Sequence, residues 1–438
     1  MFSSSFREIL PLTAEVNKQG HMSIGGCDIS DLVKRFSTPL YVYDESTIRH
    51  MCDAFLNGFR AEYAQTNVAY SSKAFANPAL STILDQEGLS MDVVSGGELA
   101  QARYAGFPPE RLNFHGNNKS KTELIEALEY GIGRVTIDSF YEIEQLNEIA
   151  GALGRTQSVL LRVSPSIDPH THMLTTTGVL DSKFGFPIEI GHAEEAVKRA
   201  QAAPHLDVTG LHFHLGSPIF DLEPYSSAVR YVLEFAARMR VHDFVLREFN
   251  PGGGFAIGYV PDGQPPSVRE YATEICSAVI AGCDALGLDK PALIVEPGRA
   301  IVGRAGIAVY SVGAIKEVPG VRNFVSVDGG MGDNIRPALY GAKYSVVSVN
   351  SPLSPHNYEA TIAGKYCESG DLLAQGAMIP VPRPGDLLAM PASGAYCIPM
   401  ASNYNMATKP AVLMVAEGKA RLIRRRETYD DLLATSVL

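Results

Sequence analysis

The stretch "NVAYSSKAFANPAL", residues 67–80, sets one lysine, Lys73, between small residues at the end of an apolar run. A lysine so placed is either a solvated loop residue or an amine at the end of a rigid element, ready to form a Schiff base with a carbonyl group. The choice depends on what the run "NVAYSSKA" (67–74) belongs to. Seven more short strand-like runs follow it: "SMDVVSG" (90–96), "RLNFHGN" (111–117), "RVTIDS" (134–139), "SVLLRVSP" (158–165), "DVTGLHFHLGS" (207–217), "REFNPGGG" (247–254) and "ALIVEPGRA" (292–300). Between them lie helix-length stretches such as "SKTELIEALEYG" and "YSSAVRYVLEFAARMR", with apolar residues at helical spacing. Eight strand–helix units predict an α/β fold built on a (β/α)8 TIM barrel. A doubly wound sheet has fewer strands, about five to seven, and a single Gly-rich fingerprint.

In such barrels the chemistry sits at the carboxyl ends of the strands. Here those ends read Lys73, Ser95 with Glu98, His115, Asp138, Arg162, His214 with Ser217, Gly252 to Gly254, and Glu296 with Arg299. Polar and glycine residues therefore gather at one rim of an otherwise apolar barrel. After residue 306 the pattern changes to short strands without regular helices, among them "VSVDGG", "EATIAG", "GDLLAMP" and "AVLMVAEGKARLIRR". The N-terminal pieces "HMSIGGCDI" and "TPLYVYD" are also strand-like. The expected division is a barrel over 46–306 and a β domain, sandwich or barrel-like, built from 1–45 and 307–438.

The bulk numbers fit a soluble globular chain: 438 residues, 46% hydrophobic and 19% charged. A net charge of −11, with no basic cluster larger than "RLIRRR" (421–426), argues against a nucleic-acid surface. The Arg run reads as a solvated edge. Six cysteines without CxxC spacing suggest a reducing cytosol, and no apolar window approaches a membrane span, so a cytoplasmic protein is expected.

Three glycine-containing ends fall on the last three strands. "NPGGGFAIGY" (250–259) has three successive glycines, "GLHFHLGS" ends in Gly216 and Ser217, and "EPGRAIVG" (296–303) offers Gly298 and the cation Arg299. Such groups let backbone N–H donors approach an anion, and barrel phosphate sites are often built on the last strands. A lysine on the first strand opposite a phosphate site fits pyridoxal 5′-phosphate. Lys73 would hold the aldehyde, Glu296 would face the pyridine nitrogen and keep it protonated, and His214 would stack on the ring. A metal reading is weaker. "HTH" (170–172) and "HFH" (212–214) pair histidines, but His170 and His172 lie in a loop and no third ligand is evident, so no metal is expected. His212 reads as a packed inward histidine.

Taken in order, "SKA", "DVVSGGEL", "DSKFGFP", "HFHLGS", "NPGGGFAIGY", "EPGRAIVG", "VDGGMGDNIRPALYG", "CESGD" and "GAYCIPMASNYN" resemble the fold-type III pyridoxal-phosphate decarboxylases over nearly the whole chain. The resemblance implies a barrel of the alanine racemase type with a β domain from both termini, and a homodimer with shared active sites. It implies Lys73 as the Schiff-base lysine, His214 on the ring and Glu296 at the pyridine nitrogen. Ser217, Gly253, Gly254, Gly298, Arg299 and Tyr396 would serve the phosphate, with Asp92, Glu98 and Arg162 around the cofactor. Cys367 of "CESGD" would donate a proton to Cα from the neighbouring subunit. Phe75, Ala256 and Pro399 depart from residues common in the family without removing a cofactor contact.

The distal end of the substrate separates the relatives. Arg336 suits a carboxylate and Glu368 an amine, with Tyr340 beside them and Arg299 and Tyr396 near the substrate. The mixed pair favours meso-2,6-diaminopimelate as substrate and L-lysine with carbon dioxide as products. A structural ion pair of Arg336 with Asp328 or Asp333 is the alternative reading of that residue. Ornithine, arginine, a D-amino acid or carboxynorspermidine are the alternative substrates. A non-catalytic regulator is disfavoured because Lys73, Glu296 and Cys367 are all present.

Overall fold

The computed structural model describes residues 2, 4–167, 182–261 and 263–438. Two compact units divide the chain: Met51–Ala256 with Pro266–Gly298, and Met1–His50 with Ile257–Pro265 and Arg299–Leu438. Nothing in the sequence pattern marks the excursion of Ile257–Pro265 into the second of these.

The first unit is a closed barrel. Its strands are β1 (Thr66–Ser71), β2 (Ser90–Val93), β3 (Leu112–Phe114), β4 (Arg134–Ile137), β5 (Gln157–Ser164), β6 (Leu206–His212), β7 (Glu248–Asn250) and β8 (Ala292–Val295). Each pairs in parallel with the next, and β8 returns to β1 with Val295 opposite Val68. The expected eightfold barrel is thus present. Side-chain caps launch several of the intervening helices from the strand ends. Asn77 caps Pro78–Gln86, Ser95 caps Gly96–Tyr104, and Ser139 caps Phe140–Ala152. Ser120 with Glu123 and Ser267 with Glu270 form reciprocal capping boxes on Lys121–Tyr130 and Val268–Leu286.

The strands are shorter than the apolar runs suggest. Strand β1 stops at Ser71, so Lys73 sits in a single 3-10 turn over Ser72–Ala74. Strand β6 ends at His212, which leaves His214 and Ser217 on the following loop. After β7 the Asn250 side chain accepts from the Gly252 N–H at 2.8 Å, turning the chain before the glycine run. Inside the barrel Ala69, Leu160 and Ile294 form a small apolar layer. Two residues further along the same strands stand Ser71, Arg162 and Glu296, all buried and polar. Near the amino ends of their strands Arg134 and Glu248 form a paired contact, with Thr209 Oγ1 donating to the same carboxylate at 2.7 Å.

In the second unit the strand Leu40–Asp44 lies between Gly306–Val318, antiparallel, and Ala411–Ala416, parallel. Alternate residues of these strands, Leu40, Val42, Ile307, Val309 and Leu413, fill one core together with Ile24 of the N-terminal hairpin. Both ends of the chain therefore build this unit. The edge strand Lys419–Arg424 carries the first part of the Arg run and is largely exposed. All six cysteines are free, and among the described residues no helix is long and apolar enough to cross a membrane.

Gly210, at a register shift in β6, brings that strand so close to β7 that a Cβ there would lie 1.7 Å from the Glu248 carbonyl oxygen. Gly210→Ala should therefore destabilise the protein by about 1–3 kcal/mol, as other overpacked positions do. Urea unfolding checks this, and a parental midpoint would show that the strands can part there without penalty.

Candidate active site

Lys73 is exposed just beyond the end of β1, and its amine makes no hydrogen bond or ion pair among the described residues. Glu98 is nearby electrostatically. Burial raises its carboxyl above the usual range, opposed by the Val94 N–H it accepts at 2.8 Å and by the Lys73 charge.

Beneath the rim the polar residues form one buried cluster centred on Glu296. Asn250 Nδ2 donates to Glu296 Oε1 at 2.6 Å, His115 Nε2 lies 3.3 Å from the same oxygen, and His212 Nε2 lies 3.3 Å from Oε2. Burial works against the charge on Glu296, but His115, His212 and His214 outweigh it and hold the carboxyl well below its ordinary range. His212 is pushed down to about 4, chiefly by burial, and is neutral at physiological pH. Burial also opposes charge on His115, yet Glu296 and Asp92 raise it above an ordinary imidazole. Asp92, 3.6 Å from His115, is pushed up to about 6 by burial and by the Glu296 charge. It accepts from Asn113 Nδ2 at 3.0 Å and Ser71 Oγ at 3.3 Å.

The loops after β6 and β7 run side by side, joined by a parallel bridge between Ile219 and Phe255. Gly254, at φ +111°, permits this approach, since a Cβ there would meet the Gly216 carbonyl oxygen at 2.5 Å. Gly253 donates its N–H to His214 Nδ1 at 3.2 Å, which makes that nitrogen the acceptor and fixes the ring. Burial, with the Lys73 and Arg162 charges, puts His214 well below an ordinary imidazole, so it presents a neutral face. Arg162 lies 4.2 Å over the Phe184 ring, with Asp138 3.6 Å away.

Ser217 and Gly298 belong to the barrel unit, whereas Arg299, Arg336, Tyr340, Cys367, Glu368 and Tyr396 belong to the second unit. Arg299 is buried, donates to Tyr259 Oη at 2.5 Å and lies 4.8 Å over the Tyr396 ring. Tyr396 holds a left-handed backbone at φ +62°. Arg336 starts the short helix Arg336–Tyr340, is buried, donates to Tyr344 Oη and lies 4.8 Å over Tyr259. No ion pair joins it to Asp328 or Asp333. Asp328 accepts from the Ser311 N–H, and Asp333 is held by the hydroxyls of Tyr41 and Tyr310. Tyr340 is half-buried. Cys367 and Glu368 are exposed on one loop. That loop is pinned by Asp371, which accepts from the Met331 and Tyr366 N–H groups, and by Asn405 Oδ1, which accepts from the Cys367 N–H at 3.0 Å.

Sequence reasoning did not assign the partners of Glu296. The pattern puts His115 at a strand end without a role, reads His212 as packing, and does not single out Asn250. The signal was available in the positions themselves, because all three stand at or just past strand ends of one barrel. His115, His212 and Glu296 also bring three metal-type donor atoms within 4.8 Å of one another. Pairing of both imidazoles with the carboxylate accounts for that grouping. His170 and His172 lie outside the described residues.

A family model described as the pyridoxal binding domain of pyridoxal-dependent decarboxylases matches residues 46–303. The chain belongs to this family, whose cofactor is pyridoxal phosphate. It is 45% identical to the diaminopimelate decarboxylase of Bacillus subtilis (strain 168), over 96% of each chain. A solved diaminopimelate decarboxylase from M. jannaschii, in complex with L-lysine, matches with a TM-score of 0.92 and 35% identity over 98% of each chain. Another from Helicobacter pylori, also with L-lysine, has a TM-score of 0.84 and 32% identity, covering 93% of this chain and 98% of its own.

The barrel mouth fits that cofactor. It offers an exposed amine, a buried ionised carboxylate, a neutral imidazole face and backbone drawn close at glycines. Buried Asn113 Oδ1, Asp138 Oδ2 and His212 Nδ1 have no hydrogen-bond partner among the described residues, as suits a mouth shaped for a polar ligand.

The cluster has a pH consequence. Asp92 titrates near 6 when folded, above about 4 for an unfolded Asp, so the fold loses stability as pH rises through that interval and stays lowered above it. In cofactor-free protein, Asp92→Asn should gain on the parent by on the order of 1–2 kcal/mol between pH 4.5 and pH 7.5. Thermal unfolding of both proteins at the two pH values measures this. An equal difference at both would mean Asp92 ionises normally.

Proposed function

We propose that this protein decarboxylates meso-2,6-diaminopimelate to L-lysine and carbon dioxide with pyridoxal phosphate, as a cytoplasmic homodimer. The observation that carries the reading is the near full-length identity to diaminopimelate decarboxylases, joined to a free amine at the end of β1 and a buried ionised carboxylate at the end of β8. The six free cysteines suit a reducing compartment.

In this reading Lys73 would be the residue that holds the cofactor, through its amine. Ser217, Gly253, Gly254, Gly298, Arg299 and Tyr396 would serve its phosphate, and the neutral His214 ring would pack on its face. Asp92, Glu98 and Arg162 line its surroundings. When bound, pyridoxal phosphate would supply the sink for the electron pair left on Cα as carbon dioxide departs. Glu296, held ionised by its partners, would face the ring nitrogen and favour a proton there. At the distal end Arg336 receives the second carboxylate. Its guanidinium is held by Tyr344 and Tyr259, which limits its freedom before substrate arrives. Tyr340 supports it, and Glu368 pairs with the distal ammonium. Cys367, from the partner copy, delivers a proton to Cα. Its loop is braced by Asp371 and Asn405, so the thiol is carried on an ordered backbone.

Carbon dioxide release measured in parallel on meso-diaminopimelate, lysine, ornithine and arginine should be high for the first alone. Equal or greater turnover of ornithine or arginine would move the assignment to a sister decarboxylase. Cys367→Ala should slow turnover by about 10²–10⁴-fold, the range of a general acid, while borohydride still fixes the cofactor on Lys73. Mixing Lys73→Ala with Cys367→Ala protein should restore activity through hybrid dimers with one intact site. No recovery despite demonstrated subunit exchange would exclude the shared site.

A further inference from the structure

We propose that His115 and His212 are positioning residues that clamp the two oxygens of Glu296, His115 as a cation and His212 as a neutral donor, and so maintain the charge opposite the cofactor's ring nitrogen. The inference rests on the reading that Glu296 faces that nitrogen and adds the means by which a carboxylate stays ionised there. Glu296 is only 7% exposed, and an unpaired charge at such a position would protonate instead.

The geometry assigns a role to each donor. Asn250 Nδ2 and His115 Nε2 both reach Oε1, and His212 Nε2 reaches Oε2. An ionised carboxylate accepts at about four positions, so three donors leave one acceptor position, on Oε2, for a ring N–H. The two imidazoles come from the ends of different strands, β3 and β6, and meet edge to face with centroids 5.0 Å apart. Their surroundings differ in sign. His115 lies between two carboxylates, Glu296 at 3.3 Å and Asp92 at 3.6 Å, with the Lys119 ammonium the opposing charge. Lys119 is itself neutralised by Glu142 at 2.6 Å. His212 pairs with Glu296, and has His115 and Arg162 as like charges. His214 also faces Glu296, with Lys73 and Arg162 acting on it. The arrangement therefore favours a proton on His115 and a neutral His212 donating from Nε2.

Glutamine separates the two roles, because its amide nitrogen can replace a neutral Nε2–H donor but not a cation. In cofactor-free protein, infrared difference spectra between each protein and its Glu296→Gln counterpart read whether residue 296 is a carboxylate. His115→Gln and His212→Leu should each raise the pH at which Glu296 protonates by about one unit or more, a tenfold change in proton affinity. His212→Gln should stay with the parent. In the loaded enzyme the acid limb of the kcat/KM profile should move by the same amount in the same variants. Glu296 ionising alike in all of them would overturn the clamp, as would His115→Gln behaving like the parent. A clamp seen by infrared with an unmoved acid limb would instead refute the placing of Glu296 at the ring nitrogen. Circular dichroism on His212→Gln, the least disruptive change, keeps folding separate from these outcomes.

Discussion

A negative charge buried in the mouth of a barrel is the constraint on which the site depends. Taking a carboxylate out of water is unfavourable by several kcal/mol unless partners replace the lost hydration. For Glu296 those partners come from three other strand ends: His115 after β3, His212 at the end of β6 and Asn250 at the end of β7. Closure of the barrel is what brings them together, since β8 pairs with β7 on one side and β1 on the other. The fold and the electrostatics therefore support each other. A barrel that failed to close would leave the charge unpaired, and without the charge the polar layer above Ala69, Leu160 and Ile294 would have no centre.

The same logic places neutral and charged groups within one small volume. Two imidazoles, the buried His212 and the partly exposed His214, are kept neutral, while His115 is drawn toward its protonated form by two acids. Identical side chains thus take different roles because their neighbours differ. In the second unit two guanidinium groups are set against aromatic rings. Arg299 and Arg336 both lie over Tyr259, and each adds a further aromatic contact, Tyr396 for one and Tyr344 for the other. An aromatic face holds a cation in place without itself neutralising it.

Much of this was legible in the chain. Alternation of strand and helix patterns gives the eightfold barrel, and polar residues at the ends of apolar runs mark its active rim. Lys73, His214 and Glu296 lie just past the ends of β1, β6 and β8, where the pattern extends the strands themselves. Boundaries were less legible. "HFHLGS" and "NPGGG" continue in composition past β6 and β7, but Asn250 turns the chain by accepting from Gly252, a side-chain contact that propensity does not report. The ion pair considered for Arg336 is absent because Asp328 and Asp333 are already engaged by Ser311 and by two tyrosine hydroxyls.

The amino-acid sequence by itself determined the class of fold, the lysine and the groups suited to an anionic cofactor, because these follow from local periodicity and from residue chemistry at strand ends. Tertiary structure decided which residues share a charge. His115, Asn250 and Glu296 are separated by between 46 and 181 positions in the chain, yet meet at hydrogen-bonding distance. Whether a histidine is a cation, a donor or a stacking face depends on burial and on neighbours from other strands, and only the closed barrel supplies both.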